Sequence, residues 1–322
     1  MERIPQVAAA IALPIAALLG YIFVAEWLIN RTPQRVRPRL RPWIWVGPAL
    51  AFVGFFLVAP SIQTFILSFK DATSANFVGI DNYTTIANDP TVQLSLRNNV
   101  LWIVVFTGVV LIAGLLIALL ADRVPYESPV KSLIFLPQAI SFVAAGTIWK
   151  FIYAYQPQGI EQTGTLNAVV TALGSEPHPW LTEIPTNNFF LIAVAIWAWT
   201  GFALVILSAA LKGIPLELLE AARVDGASEL TVFRRITFPL LLPTITVVAT
   251  TLIIFALKAF DVVYVMTGGN FDTNVIALRM YQELFNARNA GRASAIAVVL
   301  LLTVIPVLWF NLRRFRAQEA IR

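Results

Sequence analysis

Cysteine is absent from the 322 residues, so neither a disulfide nor a thiolate metal site belongs to this chain. Histidine occurs once, at His178 in a Pro/Trp-rich stretch, which argues against an imidazole-ligated metal. Charge is scarce: 13% of residues are Asp, Glu, Lys or Arg, against roughly a quarter in an average soluble domain. No Gly-x-x-x-x-Gly-Lys-[Ser/Thr] run is present, which excludes nucleotide hydrolysis by that phosphate-binding loop. The net charge of +5 sits on arginines that flank apolar runs. That arrangement suits membrane-facing loops and not a nucleic-acid surface.

What is abundant is apolar: 58% of the chain. Several runs exceed the roughly 18 residues that mark a membrane span. The pattern predicts an all-α polytopic membrane protein with about seven transmembrane helices, near 4–29, 43–69, 99–121, 132–155, 188–211, 240–260 and 293–312. The first run is longer than a signal-peptide core and is followed at once by Arg31, so it is read as a span. Glu26 within it is a candidate buried charge.

Loop charges set the expected orientation. Segments 31–42, 122–131, 212–239 and 313–322 together hold 15 Lys/Arg and 7 Asp/Glu, and the alternate set holds 6 and 10. Lys/Arg excess belongs on the cytoplasmic side. The expectation is therefore a multi-pass membrane protein with the N-terminus outside and the C-terminus cytoplasmic. The outer loops are 70–98, 156–187 and 261–292. In the last, Ile276, Met280, Tyr281, Leu284 and Phe285 recur at helical spacing. They predict a short helix that lies on the interface, packs on neighbouring spans, or does both.

Segment 212–239 is a polar island between two spans. Pro215 suits a first helical turn, Gly226 can end that helix with a positive φ, and Ser228 can cap the next. Ala221 and Ala222 keep the first helix slim, and Glu220 and Arg223 give it charge. Spacing alone leaves two readings open, an ordinary helical hairpin and a docking elbow for a soluble partner.

Glu220-Ala221-Ala222, Gly226 and Ile236-Thr237-Phe238-Pro239 resemble the cytoplasmic signature of permease subunits of binding-protein-dependent ABC importers, with Phe238 where Leu is usual. Phe77-Val78-Gly79-Ile80-Asp81-Asn82-Tyr83, Phe135-Leu136-Pro137 with Trp149, and the stretch from Asp261 to Gly269 resemble the carbohydrate (maltose/alpha-glucoside-type) branch. The likeness covers roughly 43–315. It implies a six-span permease core plus one extra N-terminal helix: 1–42 an accessory helix and basic linker, 43–322 the permease domain with coupling segment 212–239.

The resemblance further implies a non-enzymatic subunit of the bacterial cytoplasmic (inner) membrane that takes up a sugar by alternating access, with a di- or oligosaccharide such as an alpha-glucoside expected. A second homologous permease, two ATPase subunits and an extracytoplasmic sugar-binding protein are the implied partners, together with membrane lipid and no nucleic acid. No cofactor is expected in this chain, ATP and Mg being bound by the ATPases. Glu220, Ala221, Ala222, Asp225 and Gly226 are the implied ATPase-coupling residues.

Aromatic faces and polar groups suit sugar rings, so Trp197, Trp199, Thr200, Phe202, Phe255, Lys258 and Asp261 are candidates for the substrate pathway. The tryptophans could equally be interface anchors. Lys258 and Asp261, three apart, would share a helix face and could pair, or Lys258 could snorkel at a span end. The family's amide-bearing pocket neighbours are replaced here by Ala256, Lys258 and Ala259. The alternatives are an ABC permease for a non-sugar solute and an ion-coupled secondary transporter, whose usual internal repeat is not evident.

Overall fold

A backbone in hydrocarbon must satisfy its own hydrogen bonds, and helices do so within one segment. The computed structural model describes residues 3–122 and 124–319, and among them lie fifteen α-helices and no strand beyond one isolated bridge between Lys70 and Phe77. Arg123 of the expected inner loop, Met1 and Glu2, and residues 320–322 of the expected cytoplasmic tail lie outside the described residues.

Among the described residues, five helical stretches are long and apolar enough to cross a membrane: Arg37–Leu67, Pro90–Ala121, Asn187–Lys212, Glu229–Met266 and Ala290–Val307. A sixth is possible from two pieces, Glu127–Ala139 and Phe142–Ile152. The expected first span is α1 (Arg3–Arg31), whose 29 residues reach the roughly 30 Å of a bilayer core.

Packing divides the chain into two compact units, Met1–Thr64 and Phe65–Arg322; the boundary at 42/43 that the resemblance implies is one of function and not of packing. In the first unit α1 meets α2 (Arg37–Val53). Ala25 and Ile29 are buried, Tyr21 packs edge-on to Trp45, and the Tyr21 hydroxyl donates to the Ile44 carbonyl. Glu26 is not a buried lone charge: its carboxylate is partly exposed and lies 3.7 Å from Arg41 Nη2. A π turn, Gly54–Val58, joins α2 to α3 (Ala59–Leu67). Its widened hydrogen bond, from Ala59 N–H to Gly54 O, directly precedes Pro60, which has no N–H to give and crowds the carbonyl four residues back.

The second unit begins at the end of α3. The Phe77–Tyr83 motif folds back on that end: Gly79 takes φ +60°, Asn82 Nδ2 donates to the carbonyls of Ser68 and Lys70, and the Tyr83 and Ser68 hydroxyls lie 2.6 Å apart. After α4 (Asp81–Asn88), α5 (Pro90–Ala121) starts nine residues before the expected Asn99. The reason is local, since Asp89 caps it by accepting from Thr91 N–H and Pro90 needs no donor at the first position.

The expected straight span 132–155 is instead broken. α6 (Glu127–Phe135) and α7 (Phe142–Ile152) meet at a 98° bend, made by a 3₁₀ turn at Leu136–Ala139 around Pro137, with Ser141 capping α7. α8 (Thr165–Ala172) occupies the loop expected at 156–187.

α9 (Asn187–Lys212) is the central helix, with buried residues around most of its girth. Two glycines set its crossings. A Cβ at Gly114 of α5 would lie 2.6 Å from the Ala203 Cβ, and one at Gly201 would lie 2.5 Å from the Phe135 Cα. Small residues allow such close approach where lipid supplies no hydrophobic drive between helices. Trp102, Phe106 and Val110 of α5 and Leu191, Leu204 and Leu207 of α9 fill the core.

After α10 (Leu216–Val224) and α11 (Glu229–Val232), a π turn at Phe233–Thr237 leads into α12 (Phe238–Leu257). This helix matches the span expected near 240–260. Phe238 N–H reaches back to Phe233 O just before Pro239, the same accommodation as at Pro60. Beyond α13 (Asp261–Met266), α14 (Ile276–Tyr281) does more than lie on an interface. Ile276 is buried with Ile86, Val92 and Ile296, although Phe285 stays exposed. The last helix is α15 (Ala290–Glu319).

Candidate functional site

Two places gather the residues singled out by the sequence. The first is the polar elbow between α9 and α12. Pro215 is the N-cap of α10, as its fixed φ favours. Gly226 has φ +82°. Its N–H donates to Arg223 O and the Ala227 N–H to Ala222 O, both at 3.0 Å. That pair of bonds is a Schellman ending, in which a left-handed residue lets the last carbonyls of a helix be satisfied. Ser228 Oγ accepts from Thr231 N–H and caps α11.

Arg223 bridges the turn, its Nε 2.8 Å from Glu229 Oε1 and its Nη2 3.3 Å from Oε2. Glu220, Ala221, Asp225 and Gly226 are exposed and Ala222 is half-buried. Val224 and Leu230 are exposed as well. Behind the turn lies a groove of about 420 Å³, lined by Leu119, Leu211, Ile214, Leu219, Leu230 and Phe233 among others. The elbow is thus pinned from within while its tip offers two carboxylates, a small-residue step and bare apolar side chains.

The second place is aromatic. Trp199 of α9 and Phe255 of α12 lie 4.7 Å apart by ring centroids, and Phe202 lies 5.1 Å from Trp199. Phe142, first residue beyond the bend, packs 5.0 Å from Phe255 and stacks on Trp199, while Phe106 of α5 closes on Phe255 at 5.3 Å. Sequence reading missed Phe106 and Phe142; nothing local marks them, because they join the cluster from other helices.

The indole N–H groups of Trp199 and Trp102, the Thr107 hydroxyl and the Gln138 amide oxygen are buried without a hydrogen-bond partner in the protein. Buried polar atoms in that state are costly.

The remaining candidates lie elsewhere. Trp197 meets Trp149 edge-on at 5.6 Å, apart from the Trp199 cluster. Thr200 is buried and donates to Ile196 O at 2.7 Å, so its hydroxyl hydrogen is spent on its own helix. Lys258 and Asp261 do not share one helix face. α12 ends at Leu257, Lys258 is its C-cap, and α13 starts at Asp261; both residues are exposed and no ion pair joins them. His178 sits beside Trp180, with Nδ1 3.2 Å from Glu183 Oε2. Among the described residues no group of three or more His, Cys, Asp or Glu could hold a metal.

The family profile described as "Binding-protein-dependent transport system inner membrane component" matches residues 111–315, which hold the elbow and most of the aromatic cluster. The chain is 54% identical over 279 residues to "Osmoprotective compounds uptake permease protein GgtC" of Synechocystis sp., covering 87% of this chain and 100% of that protein. It is 46% identical over 300 residues to "Alpha-glucoside transport system permease protein AglF" of Rhizobium meliloti, covering 92% and 89%. Among solved structures, a chain of a bacterial ABC transporter that imports the acidic polysaccharide alginate superposes with a TM-score of 0.72 at 23% identity, over 87% of this chain and 98% of that one. That likeness speaks for the fold.

Proposed function

This chain belongs to the family of binding-protein-dependent transport system inner membrane components, and from that premise we propose that it is a permease subunit of an ATP-driven importer that takes up a sugar or glycoside by alternating access. The exposed elbow carries the reading. A helix held by a Schellman turn and a cross-turn ion pair is stiff enough to pass on a push, and its tip is free to seat in a groove of a partner.

Glu220 supplies charge for a basic group of an ATPase subunit, Ala221 and Ala222 let the surfaces approach, and Asp225 and Gly226 form the turn. ATP and Mg stay with two ATPase subunits. The elbow end then faces the cytoplasm, together with the C-terminus, and the N-terminus lies outside. Residues 1–42 are an accessory helix and linker, and 43–322 the permease domain, which pairs with a second permease. A solute-loaded binding protein outside and ATP inside must favour the same conformer, a linkage between distant sites.

The sugar assignment draws on the alpha-glucoside relative and on the aromatic cluster. Trp199, Phe202 and Phe255 pack ring against ring, and the Trp199 indole N–H has no partner within the protein, a combination of aromatic and polar groups of the kind that a polyhydroxylated ring matches. Trp197, Thr200, Lys258 and Asp261 lie outside that cluster, and a part for them is proposed only as residues flanking the route. A second reading, uptake of osmoprotective compounds, is favoured by the relative at 54% identity.

The test is uptake of labelled solute by the reconstituted importer, with alpha-glucosides and osmoprotective compounds as competitors, alongside retention of the ATPase subunits on purification. The Glu220→Lys/Gly226→Pro variant is expected to insert normally yet lose the ATPase subunits and uptake. Full transport by that variant removes the coupling role, and unchanged kinetics in Lys258→Ala and Asp261→Ala removes those two from the route.

A further inference from the structure

The elbow hangs from the end of α9, and that end is tied to α5 and α6 by a cluster of polar side chains with Lys131 at its centre. Lys131 of α6 has its Nζ 2.8 Å from Asp122 Oδ1, at the C-cap of α5, and also contacts Glu127 Oε1 on its own helix and Ser208 Oγ of α9. Ser208 Oγ donates in turn to Asp122 Oδ1 at 2.9 Å. Lys212, the last residue of α9, pairs with Glu127 at 2.6 Å. Ser208 is 3% exposed and the Lys131 side chain 14%. Two lysines thus balance two acids in a knot that is buried at Ser208 and Lys131 and open to solvent at Lys212, whose side chain is 57% exposed; at its inner side an unpaired charge is costly.

The knot's position gives it a consequence. Gly213, Ile214 and Pro215 alone separate Lys212 from α10. On the other side α6 runs from Lys131 to the 98° bend, with Gly201 of α9 letting the two backbones touch at Phe135. Beyond the bend, Phe142 is part of the Trp199–Phe255 cluster. A contiguous packed path therefore runs from the elbow to the aromatic cluster, and at the elbow end its two helices are held together by Lys131 inside and by the more exposed Lys212–Glu127 pair outside.

We propose that Lys131 is a positioning residue for transport: it clamps the start of α6 to the end of α9, so that displacement of the elbow carries the α6–α7 bend, and Phe142 with it, as one body. This rests on the elbow docking an ATPase, as proposed above.

The experiment uses the whole importer in lipid vesicles and reads moles of solute moved per mole of ATP hydrolysed, only in preparations that keep the ATPase subunits. Loss of those subunits speaks to the elbow reading, and a changed ratio with them present speaks to the clamp. Lys131→Met is expected to lower the ratio by roughly 5- to 150-fold, the span of ordinary coupling free energies, and Lys131→Arg to keep most of it.

A merely structural lysine would lower complex yield, hydrolysis and uptake together and leave the ratio unchanged; that result overturns the proposal. If Lys131→Met yields no complex, Ser208→Ala decides, because it removes one contact and leaves every charge paired. A lowered ratio in Ser208→Ala supports the clamp, and an unchanged one overturns it.

Discussion

Replacing Gly226 by alanine isolates a single physical term. The residue has φ +82°, and a Cβ placed there meets nothing within 4 Å, so the substitution brings no collision with neighbouring segments. What remains is the clash of Cβ with its own following carbonyl in a left-handed conformation, about 1–2 kcal/mol. That energy must be drawn from the turn: the two Schellman bonds, the Ser228 cap and the Arg223–Glu229 pair.

A shift of that size changes the population of the native turn against its opened forms by a factor of roughly 5–30. Hydrogen exchange at the Gly226 and Ala227 amides, whose N–H groups make the Schellman bonds, should quicken by the same factor in Gly226→Ala. Gly226→Asn should quicken it less, since asparagine visits the left-handed region more readily. Uptake should fall in the same order. Equal exchange in wild type and Gly226→Ala would refute the argument, as would an asparagine variant that behaves no better than alanine.

Glycines of the bundle should differ in tolerance, Gly201 at the crossing of α6 and α9 from Gly108 on an open face of α5. Gly201→Ala drives a methyl into the Phe135 and Ile134 backbone and should cost about 1–3 kcal/mol, seen as a lower Tm in detergent, whereas Gly108→Ala, with open space around it, should leave Tm unchanged. Asp89 offers a pH test. Burial works to raise its pKa, but hydrogen bonds from Thr91 and the Arg279 guanidinium 3.1 Å away outweigh it and hold the carboxyl below its ordinary value.

A depressed carboxyl contributes stability above the unfolded value of about 3.9 and loses it as pH falls through the folded one. The Tm of wild type should therefore drop below about pH 4 more steeply than that of Asp89→Asn, and parallel curves would show that the pair contributes nothing. Trp199→Phe keeps the ring contacts with Phe142 and Phe255 but deletes the unpartnered indole N–H. It should raise KM for the transported solute with little change in Tm; an unchanged KM would take that N–H out of solute binding.

Much of the architecture was legible because it is local. Pro215, Gly226 and Ser228 begin, end and restart helices through their own φ preferences and caps, and the structure shows the turn φ, the Schellman bonds and the cap that those residue types predict. Apolar runs of sufficient length located the spans, since in lipid a segment's own composition and hydrogen bonding decide whether it is a helix.

The errors arose at interruptions and in space. Phe135-Leu136-Pro137 was visible as a motif but not as a 98° bend, and of the two readings open for Lys258 and Asp261 the shared helix face fails because α12 ends at Leu257. Glu26 seemed alone only because Arg41 is distant in sequence.

The sequence alone determined where helices form, what ends them and that a polar elbow interrupts the apolar bundle, because those outcomes depend on neighbours within a turn or two. Only the tertiary structure decided that Phe106 and Phe142 join Trp199 and Phe255, and that Asp122, Lys131 and Ser208 meet in one knot. Those contacts span up to 149 residues of chain and are selected by how glycine-lined helices cross, which no local pattern encodes.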